Sequence, residues 1–227
     1  MAPRGTTLPV YLEVGSKRVF AGAVDWPGWC RSGRDEDAAI EALFEYAPRY
    51  ALVLRSTQLG FEAPTDPSTV PVVERLTGNA TTDFGAPDIP PSIDAQTVTD
   101  KDLARLTTLL RACWRAFDRA ATKAEGKELA KGPRGGGRDL DKVVDHVLGA
   151  DEGYLMRLGA RAPKGDPVER ATRLRQAMLD ALELAVREGV PPGPRGGKRW
   201  TPRYFVRRSA WHVLDHAWEL EDRTPTG

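Results

Sequence analysis

The chain has 227 residues, with 33 Lys and Arg against 32 Asp and Glu, a net charge of +1. At about 100–200 residues per domain this is one large domain or two small ones, and the even balance argues against a whole-chain nucleic-acid binder. Its 2 cysteines, Cys30 and Cys113, are too few for a disulfide scaffold or a Cys-rich zinc site.

The N-terminal residues lack an apolar core behind their charge, so no signal peptide is expected. No stretch approaches about 18 apolar residues, so no membrane span is expected either. With two distant cysteines read as reduced thiols, the expected location is cytoplasmic.

The first elements are two short strands. Val10 to Val14 alternates loosely, Gly15 to Lys17 turns, and Arg18 to Val24 returns. Asp25 to Gly33 reads as a turn-rich segment. Ala39, Ile40, Leu43, Phe44 and Ala47 then form a helical stripe within one helix expected over Asp35 to Tyr50. Val70 to Leu76 reads as a further strand, and Pro71 favours an edge position. Ala86 to Ala95 is Pro-rich and aperiodic, as a linker would be. A boundary is therefore expected near residue 97. Charge divides there too: residues 1–97 carry 8 basic against 13 acidic residues, and residues 98–227 carry 25 against 19, so −5 and +6.

The second part reads as four helices. Thr99 with Asp102 caps the first, whose stripe is Leu103, Leu106, Leu110, Cys113, Trp114 and Phe117. Asp139 can cap a second that runs to about Leu158. Asp166, Pro167 and Glu169 mark the start of a third, ending at Gly189. Thr201 and Pro202 open a fourth that runs to about Arg223. Four amphipathic helices of about 20 residues suggest a helix bundle. The expected fold is an α+β module over residues 1–97 followed by an all-α four-helix bundle over residues 98–227. The segments Gly132–Arg138 and Gly193–Arg199 echo each other ahead of the second and fourth helices.

The chain has 3 histidines. His212 and His216 lie four apart, so a helix puts both imidazoles on one face, one turn apart. This spacing serves two ligands of one metal ion, or equally two rings packed at the edge of a core. A metal would need a further ligand. The remaining histidine, His146, lies in the second helix, and a facing helix can bring it to the same point.

The segments Asp145 to Leu155 and Trp211 to Arg223 resemble the DinB-like superfamily, whose members are metal-binding four-helix bundles. The resemblance spans about residues 98–223. It implies a metal site on His146, His212 and His216. It also implies an activity among those of the superfamily, which includes thiol S-transferases using mycothiol or bacillithiol and a thiol-dependent maleylpyruvate isomerase. Three neutral imidazoles would leave the ion a coordination position open, as catalytic sites do. Zinc, nickel and ferrous iron all suit such ligands, with a low-molecular-weight thiol as a candidate co-substrate. Glu219, three residues after His216, shares its face and is the candidate base or orienting carboxylate. Arg134, Arg138, Arg195, Lys198 and Arg199 precede the two ligand-bearing helices and could gather an anionic small-molecule substrate. Of these, Arg138 and Arg199, with Trp200 and Tyr204, are the candidate substrate-binding residues. A homodimer is compatible with this reading.

Arg18 to Gly33, followed by Asp35-Glu-Asp-Ala-Ala39, is similar to the HicB-like antitoxin fold, over about residues 8–55. No DNA-binding segment follows it. The alternative function is accordingly partner binding through this module, with the bundle as a scaffold and its metal structural or vestigial.

Overall fold

The computed structural model describes residues 8–64, 66, 70–131 and 137–225. They form two compact units, Met1–Gln96 and Thr97–Gly227. The protein is thus mixed α+β, with a four-stranded sheet in the first unit and several helices in the second.

In the first unit β1 (Val10–Val14) and β2 (Val19–Ala23) make an antiparallel hairpin. Gly15 N–H donates to Arg18 O to close its turn. The segment expected to be only turn yields β3 (Cys30–Gly33), antiparallel to β2. Its short Cys-Arg-Ser-Gly sequence has no alternation or β-branching to betray a strand. Pairing with β2 supplies what local propensity lacks.

The turn ahead of β3 depends on Gly28, whose φ of 94° suits glycine. Gly33 has another reason. A Cβ there would lie 2.3 Å from the backbone N of Ala39, so only glycine lets the next helix come this close to the sheet.

That helix is α1 (Glu36–Glu45), capped by Asp35, whose carboxylate accepts the Ala38 N–H. The single helix expected over residues 35–50 is in fact two. Pro48 has no N–H to continue the ladder, so α1 stops and α2 (Ala47–Leu54) starts afresh with the proline in its first turn. Leu43 and Tyr50 from these helices are fully buried with Leu12 and Trp29. Trp29 donates its indole N–H to Leu43 O at 2.8 Å and stacks on Tyr50 at 5.5 Å.

The last strand, β4 (Val72–Thr77), runs parallel to β1 and completes the order β3-β2-β1-β4. It lies at an edge. Pro71 sits just before it, its carbonyl accepting the Val10 N–H. A short α3 (Ala80–Phe84) follows, with Asn79 and Thr82 in a capping box.

The Pro-rich stretch beyond α3 is not a free linker. Its backbone N–H groups at Asp88 and Ile89 donate to the Glu13 carboxylate, and Ser92 donates to Glu74. Glu13 is fully buried and also accepts the Thr82 hydroxyl. Burial pushes its pKa up, against the pull of these donors. Carboxylates on β1 and β4 thus satisfy N–H groups of Asp88, Ile89 and Ser92 that lie ahead of or at the start of the 3-10 turn Ser92–Ala95.

The second unit contains four long helices: α4 (Asp100–Ala124), α5 (Leu140–Arg157), α6 (Arg170–Glu188) and α7 (Pro202–Arg223). Each contacts all the others. Thr99 and Asp102 form the expected capping box on α4. Its buried stripe includes Leu106, Leu110, Cys113, Trp114 and Phe117. Asp139 precedes α5 but makes no side-chain cap, pairing instead with Lys142. The turn expected to start the third helix, Pro167–Glu169, is a 3-10 turn ahead of α6.

Helix α7 is the most deeply buried. Phe205, Val206, Ala210, Val213, Leu214, Ala217 and Leu220 are inaccessible to solvent on both sides of the histidine pair. At about 1.5–3 kcal/mol per large apolar side chain, this burial anchors the helix in its unit. Among the described residues, no helix is long and apolar enough to cross a membrane.

Candidate metal centre

His212 and His216 project from α7, and His146 projects from α5 beside them. One nitrogen from each ring can be chosen so that all three lie within 4.8 Å of one another. Ring centroids are 4.7–5.1 Å apart in every pair. The Nε2 atoms of His146 and His212 are 3.3 Å apart. Two nitrogens bonded to one tetrahedral ion at about 2.0–2.1 Å stand about 3.3–3.4 Å apart, so this pair already has ligand spacing.

Tautomers follow from the neighbours. His216 donates its Nδ1–H to Glu219 Oε2 at 2.7 Å, which leaves its Nε2 lone pair for a ligand. Glu219 is itself held: Arg223 donates from Nη1 to its other oxygen at 2.6 Å. Two further donors of Arg223 go to backbone carbonyls, Nε to Ala130 and Nη2 to Arg138, each at 2.8 Å. The hydrogen bond from His216, with the pull of Arg223, holds the Glu219 carboxyl below its usual pKa despite burial. It is therefore an anionic acceptor at neutral pH.

Burial depresses the pKa of His146, with help from His216 and Arg138. His212 is pushed well below its ordinary value, first by burial and then by His216 and Arg208. Both rings are thus neutral near pH 7, the form that binds metals. His212 Nδ1 is buried and has no hydrogen-bond partner.

Beyond His212 runs an aromatic row. Tyr154 meets the His212 ring edge-on at 5.7 Å, Trp200 meets Tyr154 at 5.0 Å, and Tyr204 meets Trp200 at 5.0 Å. Of the expected substrate-contacting aromatics, Trp200 thus reaches the histidines through Tyr154, and Tyr204 stands one ring further away. Both are buried.

The expected arginines divide. Arg138 stands close enough to affect His146 and His212 electrostatically. Arg199 is spent on backbone: its guanidinium donates to the carbonyls of Pro191, Met156 and Pro192. Here it ties α5 to the connector before α7. The Lys198 carbonyl accepts from Arg157 in the same region. Arg134 and the side chain of Arg195 lie outside the described residues. Asp145, next to His146, turns away and pairs with Arg170.

Three residues of the site escaped sequence reasoning. Tyr154 lies two turns along α5 from His146. Arg223 lies four residues after Glu219, the spacing of a helical ion pair. Arg208 lies four residues before His212. Such i, i+4 relations are frequent on any helix, so spacing alone did not distinguish these.

Comparison with protein families, with curated proteins and with solved structures finds no match for this chain.

Proposed function

We propose that the second unit is a DinB-like four-helix bundle that binds one divalent metal ion on His146, His212 and His216. In this reading the protein is a metal-dependent enzyme of the thiol S-transferase, isomerase or hydrolase class. The observation that carries it is convergence: the only histidines of the chain, from two helices, lie with ligand atoms within 4.8 Å. Neutral imidazoles suit zinc, nickel or ferrous iron.

When bound, such an ion supplies a Lewis acid that polarises a substrate oxygen or lowers the pKa of a bound water or thiol. The chain's own residues do the positioning. Glu219 fixes the tautomer and aim of His216, and Arg223 fixes Glu219. Tyr154 offers a flat aromatic ring beside His212, backed by Trp200. The substrate is a small molecule, with a low-molecular-weight thiol as a candidate co-substrate.

The test is metal analysis of purified protein after incubation with zinc, nickel or ferrous iron, with His212→Ala alongside. One equivalent in the wild type and its loss in the variant support the reading. A wild-type chain that takes up none of these ions overturns it.

For the first unit the HicB-like reading is supported by the strand after the Pro27-Gly28 turn and by Gly33 under the start of α1. Partner binding is the corresponding proposal for that unit. A pull-down with full-length protein that recovers a defined partner, lost when surface residues of residues 8–55 are changed, would support it.

A further inference from the structure

Two arginines, Arg208 and Arg138, stand near enough to the histidines to act on them electrostatically. Arg208 lies one turn before His212 on α7. Its guanidinium carbon sits 4.6 Å from the Trp211 ring and 5.8 Å from the Tyr154 ring. Tyr154 in turn meets the His212 ring at 5.7 Å, so one aromatic ring touches both the arginine and a candidate ligand. The Nη1 of Arg208 is buried and has no hydrogen-bond partner. Aromatic faces attract a cation, but they accept no N–H as a carboxylate does.

Other arginines of this unit show what is missing. Arg175, Arg203 and Arg223 each have an acidic partner within 2.8 Å. Arg208 has no ion pair among the described residues. Glu219, the carboxylate on the histidine cluster, is occupied by His216 and Arg223. With a divalent ion on three neutral imidazoles, two further positive charges would stand beside Arg138 and Arg208. An anion from outside the chain is what balances such a site.

We propose that Arg208 is the specificity-determining residue of this centre, and that it selects a small substrate carrying a carboxylate-class anionic group next to its metal-binding atom. The anion accepts from Arg208, the adjoining part of the molecule lies against Tyr154, and the reacting atom faces the histidines. This inference rests on the metal-site reading above. It replaces Arg199, whose guanidinium is already engaged, as the anion receptor.

The experiment loads the full-length protein with cobalt(II) and titrates it with 3-mercaptopropionate and with its neutral isostere, 3-mercaptopropionamide. The sulfur-to-cobalt absorption band reports binding of each. Wild-type protein should bind the anion at least ~10-fold tighter than the amide, the difference a charge-assisted hydrogen bond makes. Arg208→Met should bring the ratio to about one without weakening the amide, and Arg208→Lys should restore part of the preference. Equal affinity in the wild type, or an undiminished preference in Arg208→Met, overturns the proposal. Failure to bind cobalt overturns the metal reading instead. Arg208 is then tested in metal-free protein by the indole N–H resonance of Trp211. A shift with 3-mercaptopropionate that Arg208→Met abolishes sustains the anion site, and no shift refutes it.

Discussion

Asp151 is a buried acid of the second unit. It lies on α5, fully buried, and neither carboxyl oxygen has a hydrogen-bond partner. Burial raises its pKa to about 7, against the pull of Arg175 and of the Trp114 indole. The sign of the consequence is fixed. In the unfolded chain the group ionises near pH 4, whereas in the folded chain it stays protonated until about pH 7. The folded state therefore binds the extra proton, and stability falls as pH rises between those values, then levels off. Asp151→Asn removes the titration. Relative to the wild type, this variant should gain stability from pH 4 to pH 7, by up to about 4 kcal/mol. Denaturant melts at pH 4.5 and pH 8 check this, and an equal difference at both would contradict it. Glu219 makes a different case, since it acts through His216. Glu219→Gln should keep the fold and weaken metal affinity roughly 10–100-fold, as outer carboxylates do. Competition with a chromophoric chelator measures this, and unchanged affinity would deny Glu219 its orienting role.

At the scale of elements, buried carboxylates and close approaches decide what local preference leaves open. Glu13 holds the stretch after α3 by accepting from Asp88, Ile89 and Thr82. Glu13→Ala would strand those donors at roughly 1–3 kcal/mol each where they stay buried. Hydrogen exchange at Asp88 and Ile89 should then accelerate while β2 stays protected. Protection unchanged at both amides would rule out this anchoring. Gly33→Ala places a methyl against the α1 backbone and should cost roughly 1–3 kcal/mol, read as a lower melting temperature. The same elements show what the sequence concealed. β3 is four residues without an alternating pattern, and α1 and α2 share one apolar stripe broken by a proline. In both cases contacts with the rest of the sheet, or the loss of one N–H, outweigh the pattern. The capped helices were far more legible, because Thr99, Asp102 and Thr201 act within a single turn of chain.

For the whole molecule, the proposed metal couples binding to stability. An ion that binds the folded chain alone adds about 4 kcal/mol at a concentration 1,000 times its dissociation constant. Zinc should raise the melting temperature of the wild type and leave that of His212→Ala unmoved. Equal shifts in both would place the ion elsewhere. Much of this protein was already determined by its sequence: the first hairpin, the starts of α4 and α7, the edge position of β4 and the i, i+4 pair on α7. Those depend on turn chemistry, caps and periodicity, which act over a few residues. Only the tertiary structure decided that His146 meets that pair, that Arg223 fixes Glu219, and that Arg199 binds backbone while Arg208 does not. The contacts that fix these groups join residues up to 93 positions apart, as between Arg223 and the Ala130 carbonyl. They follow from how helices pack and which donors burial leaves unsatisfied, and no local pattern encodes either.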